Sequence, residues 1–135
     1  MQSRNIRVAV VDDDSSYQFL TSRTIRSIGH TDVILQFYDG AEAIHYLSQY
    51  ADDPIQLPDL LLLDINMPRV DGWMFLEEFS SIKNRISKDI NIIMVSSSID
   101  SRDIARAKQN KNIQDYVMKP VSAEKFRELL DTKAA

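Results

Sequence analysis

The chain alternates short apolar runs with longer segments in which apolar side chains recur every three or four positions. Residues 5–11 (NIRVAVV) are apolar and rich in Val, which predicts a buried strand, and the run stops abruptly at Asp12, Asp13 and Asp14. Residues 15–28 follow with Tyr17, Leu20, Thr24 and Ile28 at helical spacing and Gly29 just beyond, a helix with its stop signal. Residues 32–37 (DVILQF) predict a second strand, and residues 39–50 a second helix with Ala43, Ile44 and Leu47 on one face. The segment 51–58 (ADDPIQLP) has no period and carries Pro and Asp, so it is a loop.

The same alternation continues to the C-terminus. Leu60–Leu63 has no polar alternation, the pattern of a central strand covered on both faces. Turn chemistry in 66–72 (NMPRVDG) leads to a third helix over 73–82, where Gly72 gives the backbone room at the helix entrance. Residues 91–95 (NIIMV) predict a fourth strand, 100–111 a polar fourth helix, 114–118 a fifth strand, and 122–130 a last helix with Phe126, Leu129 and Leu130 apolar. Five strand–helix alternations with short connections predict one α/β domain over residues 1–135, a doubly wound five-stranded parallel sheet with helices on both faces. No segment is left for an output domain.

Composition narrows the function. The 135 residues are 44% hydrophobic and 27% charged, with three Gly and four Pro, close to globular averages. No apolar run approaches the length of a bilayer span, and the polar start of residues 1–5 has no leader pattern, so a cytoplasmic location and no membrane partner are expected. Zero Cys and two His exclude disulfides, thiolate zinc and a Cys nucleophile, leaving a hard, oxygen-liganded ion as the metal to expect. A net charge of −4 disfavours nucleic acid as partner. His30 and His45 fall on no motif and suit surface or packing roles, and Trp73 suits packing.

The informative residues stand at strand ends: Asp12 to Asp14, Asp64, Ser96 and Lys119. In doubly wound sheets ligands bind outside the carboxyl ends of the strands, where the strand order reverses. In the common order 2-1-3-4-5, strands one and three are neighbours, and Asp12 and Asp13 meet Asp64. Clustered carboxylates repel one another unless a cation compensates, and an all-oxygen set suits Mg²⁺. With Lys119 and Ser96 at the same opening, the set suits phosphoryl transfer to Asp64 as nucleophile. Each residue alone has a plainer role: acids cap helices, and Ser96 or Lys119 could simply end a strand. It is their combination that points to chemistry.

The segments VAVVDDD (8–14), LLLLDINMPRVDG (60–72), IIMVSSS (92–98) and DYVMKP (115–120) resemble the receiver domain of two-component response regulators, in order and spacing over nearly the whole chain. The resemblance implies a stand-alone, flavodoxin-like domain of the chemotaxis-regulator kind. Asp64 would be the phosphoacceptor, and Mg²⁺, with Mn²⁺ as substitute, would be held by Asp12, Asp13, Asp64 and the backbone carbonyl of Asn66. Lys119 and Ser96 would contact the phosphoryl group, Ser96 and Tyr116 would form the switch, and Ser97, Asn66 and Ser98 would set phosphate access and lifetime. Asp14 falls outside the metal pair, and a cis peptide before Pro120 is implied. The donor would be a phosphohistidine of a sensor histidine kinase or histidine phosphotransfer protein, and the output a shape change of the helix 4, strand 5 and helix 5 face toward a downstream protein. The chain would act as a monomer or a phosphorylation-dependent dimer, and not as a turnover enzyme. Two rivals stand beside this: a Mg²⁺-dependent phosphohydrolase working through an aspartyl-phosphate, which commonly has a second Asp where this chain has Asn66, and a receiver-like interaction module that is never phosphorylated.

Overall fold

The computed structural model describes residues 5–135. The sequence expectation of no leader pattern falls largely on residues 1–4, which lie outside the described residues. Five strands, β1 (Ile6–Val11), β2 (Thr31–Phe37), β3 (Leu60–Leu63), β4 (Asn91–Ser96) and β5 (Ile113–Met118), alternate with five helices, α1 (Ser15–Ile28), α2 (Gly40–Gln49), α3 (Gly72–Ile82), α4 (Ser101–Gln109) and α5 (Ala123–Ala134). The strands are parallel and ordered β2-β1-β3-β4-β5, as expected.

All four leucines of β3 are buried, because it lies at the centre of the sheet with helices over both faces. Strand alternation sends Ala9, Val11, Leu61, Leu63, Ile92 and Met94 to one face, where they pack against α2, α3 and Ala107 of α4. Val8, Val10, Leu60, Leu62, Ile93 and Val95 face the other way, against Ile25 of α1 and Phe126, Leu130 and Ala134 of α5.

Each of the five α-helices described begins on a side-chain cap. Asp14, Asp39, Asp71, Asp100 and Ser122 accept backbone N–H bonds from Tyr17, Glu42, Met74, Arg102 and Lys125 respectively. Asp39, Asp100 and Ser122, placed inside helices by the periodicity, are therefore caps. Helix α4 is shorter than expected, ending at Gln109, and a short 3₁₀ turn (Lys83–Arg85) extends α3. Helix α5 runs one turn beyond Leu130, because Ala134 continues the buried stripe past the polar residues 131–133. Ser96 belongs to β4 and is fully buried.

The inward face of α1 differs from the apolar pattern. Leu20 is 59% exposed, and the buried stripe is Gln18, Thr21, Ser22 and Ile25, with Tyr17 and Ile28 partly buried beside it. Gln18 is buried with its Nε2 donating to the carbonyls of Val10 (2.9 Å), Asp12 (3.1 Å) and Phe37 (2.9 Å) at the C-terminal ends of β1 and β2, so its amide meets polar partners inside the protein. Hydrogen bonding by Gln18 and apolar packing of Ile25 share this face.

Candidate functional site

Strand register builds the site. Val11 of β1 pairs with Leu63 of β3, so the next residues, Asp12 and Asp64, leave the sheet side by side. The Asp64 N–H donates to the Val11 carbonyl at 3.0 Å, and the Asp12 N–H to that of Phe37 at 2.9 Å. Asp12, Asp13 and Asp64 each present a carboxylate oxygen, and these oxygens lie within 4.8 Å of one another. Asp12 and Asp64 are buried and Asp13 is exposed. Asp14 turns away to cap α1, outside the cluster as expected.

Lys119 closes the other side. Its Nζ donates to Asp12 Oδ2 at 2.7 Å and lies 3.6 Å from Asp64 Oδ1. The Lys119 N–H donates to the Ser96 carbonyl at 2.9 Å, which ties the ends of β5 and β4 together, and the Lys119–Pro120 peptide is cis. Burial pushes the Asp64 carboxyl up to about 6, with the charges of Asp12 and Asp13 adding to it and Lys119 and the Ile65 N–H opposing. Burial disfavours the Lys119 charge, but the bond to Asp12 and the charge of Asp64 outweigh it and raise its pKa. Three carboxylates against one ammonium leave local negative charge, and the all-oxygen donor set suits a hard divalent cation.

The approach to Asp64 depends on two glycines. A Cβ on Gly72 would lie 2.5 Å from the Asp64 carbonyl oxygen and 2.9 Å from Ile65 Cα, so only glycine lets α3 start against the Asp64 backbone. A Cβ on Gly40 would lie 2.7 Å from Val70 Cγ1, in the same connection.

Asn66 is exposed two residues beyond Asp64, and Ser97 is exposed one residue beyond Ser96. Ser96 Oγ accepts the Ser98 N–H at 3.1 Å. Ser98 in turn donates its hydroxyl to Asp103 at 2.7 Å, and its carbonyl accepts the Tyr116 hydroxyl at 2.9 Å. Ser96, Ser98, Tyr116 and α4 are thus one hydrogen-bonded chain leading away from the carboxylates.

Residues 8–131 match the response regulator receiver domain family. The chain belongs to that family. This receiver domain is 27% identical over 124 residues to the probable methanogenesis regulatory protein FilR2 of Methanothrix harundinacea, covering 92% of the chain and 78% of that protein. It is 29% identical over 125 residues to the regulator of RpoS of Escherichia coli K12, covering 92% of the chain but 33% of that longer protein. Among solved structures, a two component response regulator from Cytophaga hutchinsonii superposes with a TM-score of 0.85 at 29% identity, over 96% of this chain and 98% of that one. Receiver domains are in general signalling modules of two-component systems, where they interact with sensor kinases or phosphotransfer proteins. Among the described residues no helix is long and apolar enough to cross a membrane.

Several structural residues of this receiver domain escape the sequence patterns. Asp39 is buried at the end of β2, where it caps α2 and pairs with Arg69. Burial works against its charge, but the Glu42 N–H and the Arg69 guanidinium prevail and hold its carboxyl below the usual range. Arg106 of α4 lies 4.3 Å over the ring of Trp73, which is buried as expected and links α4 to the first turn of α3. His30 pairs with Asp131 at 3.3 Å and His45 is exposed on α2, neither near the carboxylates. Asp39 shares the strand-end aspartate signal with Asp12 and Asp64, but its partner Arg69 stands 30 residues away in the 60–72 segment, and nothing in the sequence couples the two.

Proposed function

We propose that this receiver domain accepts a phosphoryl group on Asp64 from a phosphohistidine of a sensor histidine kinase or phosphotransfer protein, and signals to a downstream protein through the α4–β5–α5 face. The observation that carries the reading is the convergence of Asp12, Asp13 and Asp64 within 4.8 Å beneath the Lys119 ammonium. Asp12, Asp13 and Asp64, with the carbonyl of Asn66, would hold Mg²⁺ or its substitute Mn²⁺. When bound, that ion supplies neutralising charge to the phosphoryl oxygens and the carboxylates.

The chain's own groups do the rest. Asp64, disfavoured as an anion by burial, is still largely ionised at neutral pH, and an oxygen of its carboxylate attacks phosphorus. As that P–O bond forms, the bond from phosphorus to the donor nitrogen breaks and its electron pair stays on the imidazole. Lys119 lies within reach of the new acyl phosphate and binds one of its oxygens, and Ser96 donates its hydroxyl to another. Recruiting Ser96 draws on the chain Ser96–Ser98–Tyr116, so phosphate at Asp64 is felt at β5 and α4. Ser97, Asn66 and Ser98 border the water that hydrolyses the product. The domain contributes groups to its own phosphorylation and dephosphorylation and is a switch, not a turnover enzyme; its place of work is the cytoplasm, as a monomer or a phosphorylation-dependent dimer.

The test is chemical trapping. After incubation with Mg²⁺ and a phosphohistidine donor, hydroxylamine should convert residue 64 to the hydroxamate, located by peptide mass spectrometry. Phosphate on another residue, or steady hydrolysis of small phosphate esters, overturns the proposal.

A further inference from the structure

Lys119 reaches its position from β5, yet one of its close neighbours is aromatic and comes from α1. Its Nζ lies 4.1 Å from the centroid of the Tyr17 ring while donating to Asp12 on another side. Tyr17 is tied to the start of α1: its backbone N–H is the donor to the Asp14 cap at 3.1 Å. The run Asp12-Asp13-Asp14 therefore has three separate uses: Asp12 takes the ammonium, Asp13 completes the carboxylate cluster, and Asp14 caps the helix turn that carries Tyr17.

We infer that Tyr17 is a positioning residue for phosphoryl transfer, its ring face holding the Lys119 ammonium over the carboxylates. This rests on the proposed role of Asp64 and Lys119 and extends it to a residue outside the four recognised segments' acidic, serine and lysine positions. Lysine has a long stem with several rotatable bonds, and fixing its head in one place costs side-chain entropy. The carboxylate bond alone does not keep that place through a reaction, because Asp12 Oδ2 is itself a candidate cation ligand and its charge is shared. The ring is neutral and attracts the ammonium through its quadrupole whatever the carboxylates are doing. Lys119 is mostly enclosed, with 19% of its side chain exposed, so the attraction acts in a partly desolvated setting, where such contacts are stronger than at the surface.

Two variants of the full chain separate the ring from bulk and from the hydroxyl. Tyr17→Leu keeps an apolar side chain without an aromatic face, and Tyr17→Phe keeps the face without the hydroxyl. The first readout is the Lys119 ε-methylene proton shift in carbon–proton correlation spectra, which a ring beneath it moves upfield. The wild type and Tyr17→Phe should show the upfield position and Tyr17→Leu should lose it, with urea midpoints reported for each. The second readout is the phosphorylation rate with acetyl phosphate and Mg²⁺, expected to fall about tenfold in Tyr17→Leu and to stay within about twofold in Tyr17→Phe. A Tyr17→Leu protein that keeps the wild-type rate, or a Tyr17→Phe protein that falls as far as Tyr17→Leu, overturns the inference. If the wild type takes up no phosphate, the reading of Asp64 fails instead, and the Lys119 shift still decides the positioning: an unmoved signal in Tyr17→Leu overturns it.

Discussion

Replacing Asp64 with Asn should make the protein more stable, not less. Asp64 is 8% exposed, and burial pushes its carboxyl from 3.8 to about 6. A tenfold change in acidity is about 1.4 kcal/mol, so ionising Asp64 costs the native state about 3 kcal/mol in the absence of a cation. The sign follows from linkage. A raised folded-state pKa means that the native state is favoured while the carboxyl stays protonated, at low pH, and that this advantage disappears as pH rises through about 6. Asn has the same shape, carries no charge, and leaves Lys119 its bond to Asp12. In urea denaturation with a chelator present, the Asp64→Asn midpoint should exceed the wild type by about 1–2 M at neutral pH, and the gap should close toward about pH 4. A variant no more stable than the wild type at neutral pH, or a gain that does not change with pH, would refute the reasoning.

Three further outcomes follow from the same geometry. Divalent-cation affinity, read from the fluorescence of Trp73, the sole tryptophan, should weaken as pH falls through about 6, because Asp64 must lose its proton to ligate; equal affinity from acid to alkaline pH contradicts this. Gly72→Ala forces a methyl against the Asp64 carbonyl and should cost about 1–3 kcal/mol by denaturation and slow phosphate uptake; a neutral effect on both would show that α3 moves freely from Asp64. Gln18→Leu removes the donor to three buried carbonyls and should cost about 1–3 kcal/mol, with slowed amide exchange protection lost at the ends of β1 and β2; unchanged stability would mean that those carbonyls find other partners.

The fold was legible because its signals are local. An unbroken LLLL followed by Asp, or VAVV followed by three Asp, marks a central strand and its functional end together, and five such alternations leave one architecture. The carboxylate cluster followed from strand order, since neighbouring β1 and β3 must bring Asp12 beside Asp64. What escaped depends on partners distant in sequence. The α1 face departs from the apolar pattern because Gln18, Thr21 and Ser22 are polar and buried, with Gln18 bonded to strand-end carbonyls and Ser22 to the Gln36 side chain, partners that lie outside the helix. Asp39 with Arg69, Arg106 over Trp73, and Tyr17 beneath Lys119 are each set by the packing of two elements, which periodicity within one element does not encode.

The central claim is that the assembled carboxylates make Asp64 a phosphoacceptor, and intact-mass measurement tests it most directly. After incubation with Mg²⁺ and acetyl phosphate, the wild type should gain the mass of a single phosphoryl group and Asp64→Asn should gain none. A wild type that stays unmodified under those conditions, or an Asp64→Asn protein that gains the same mass, would contradict the account.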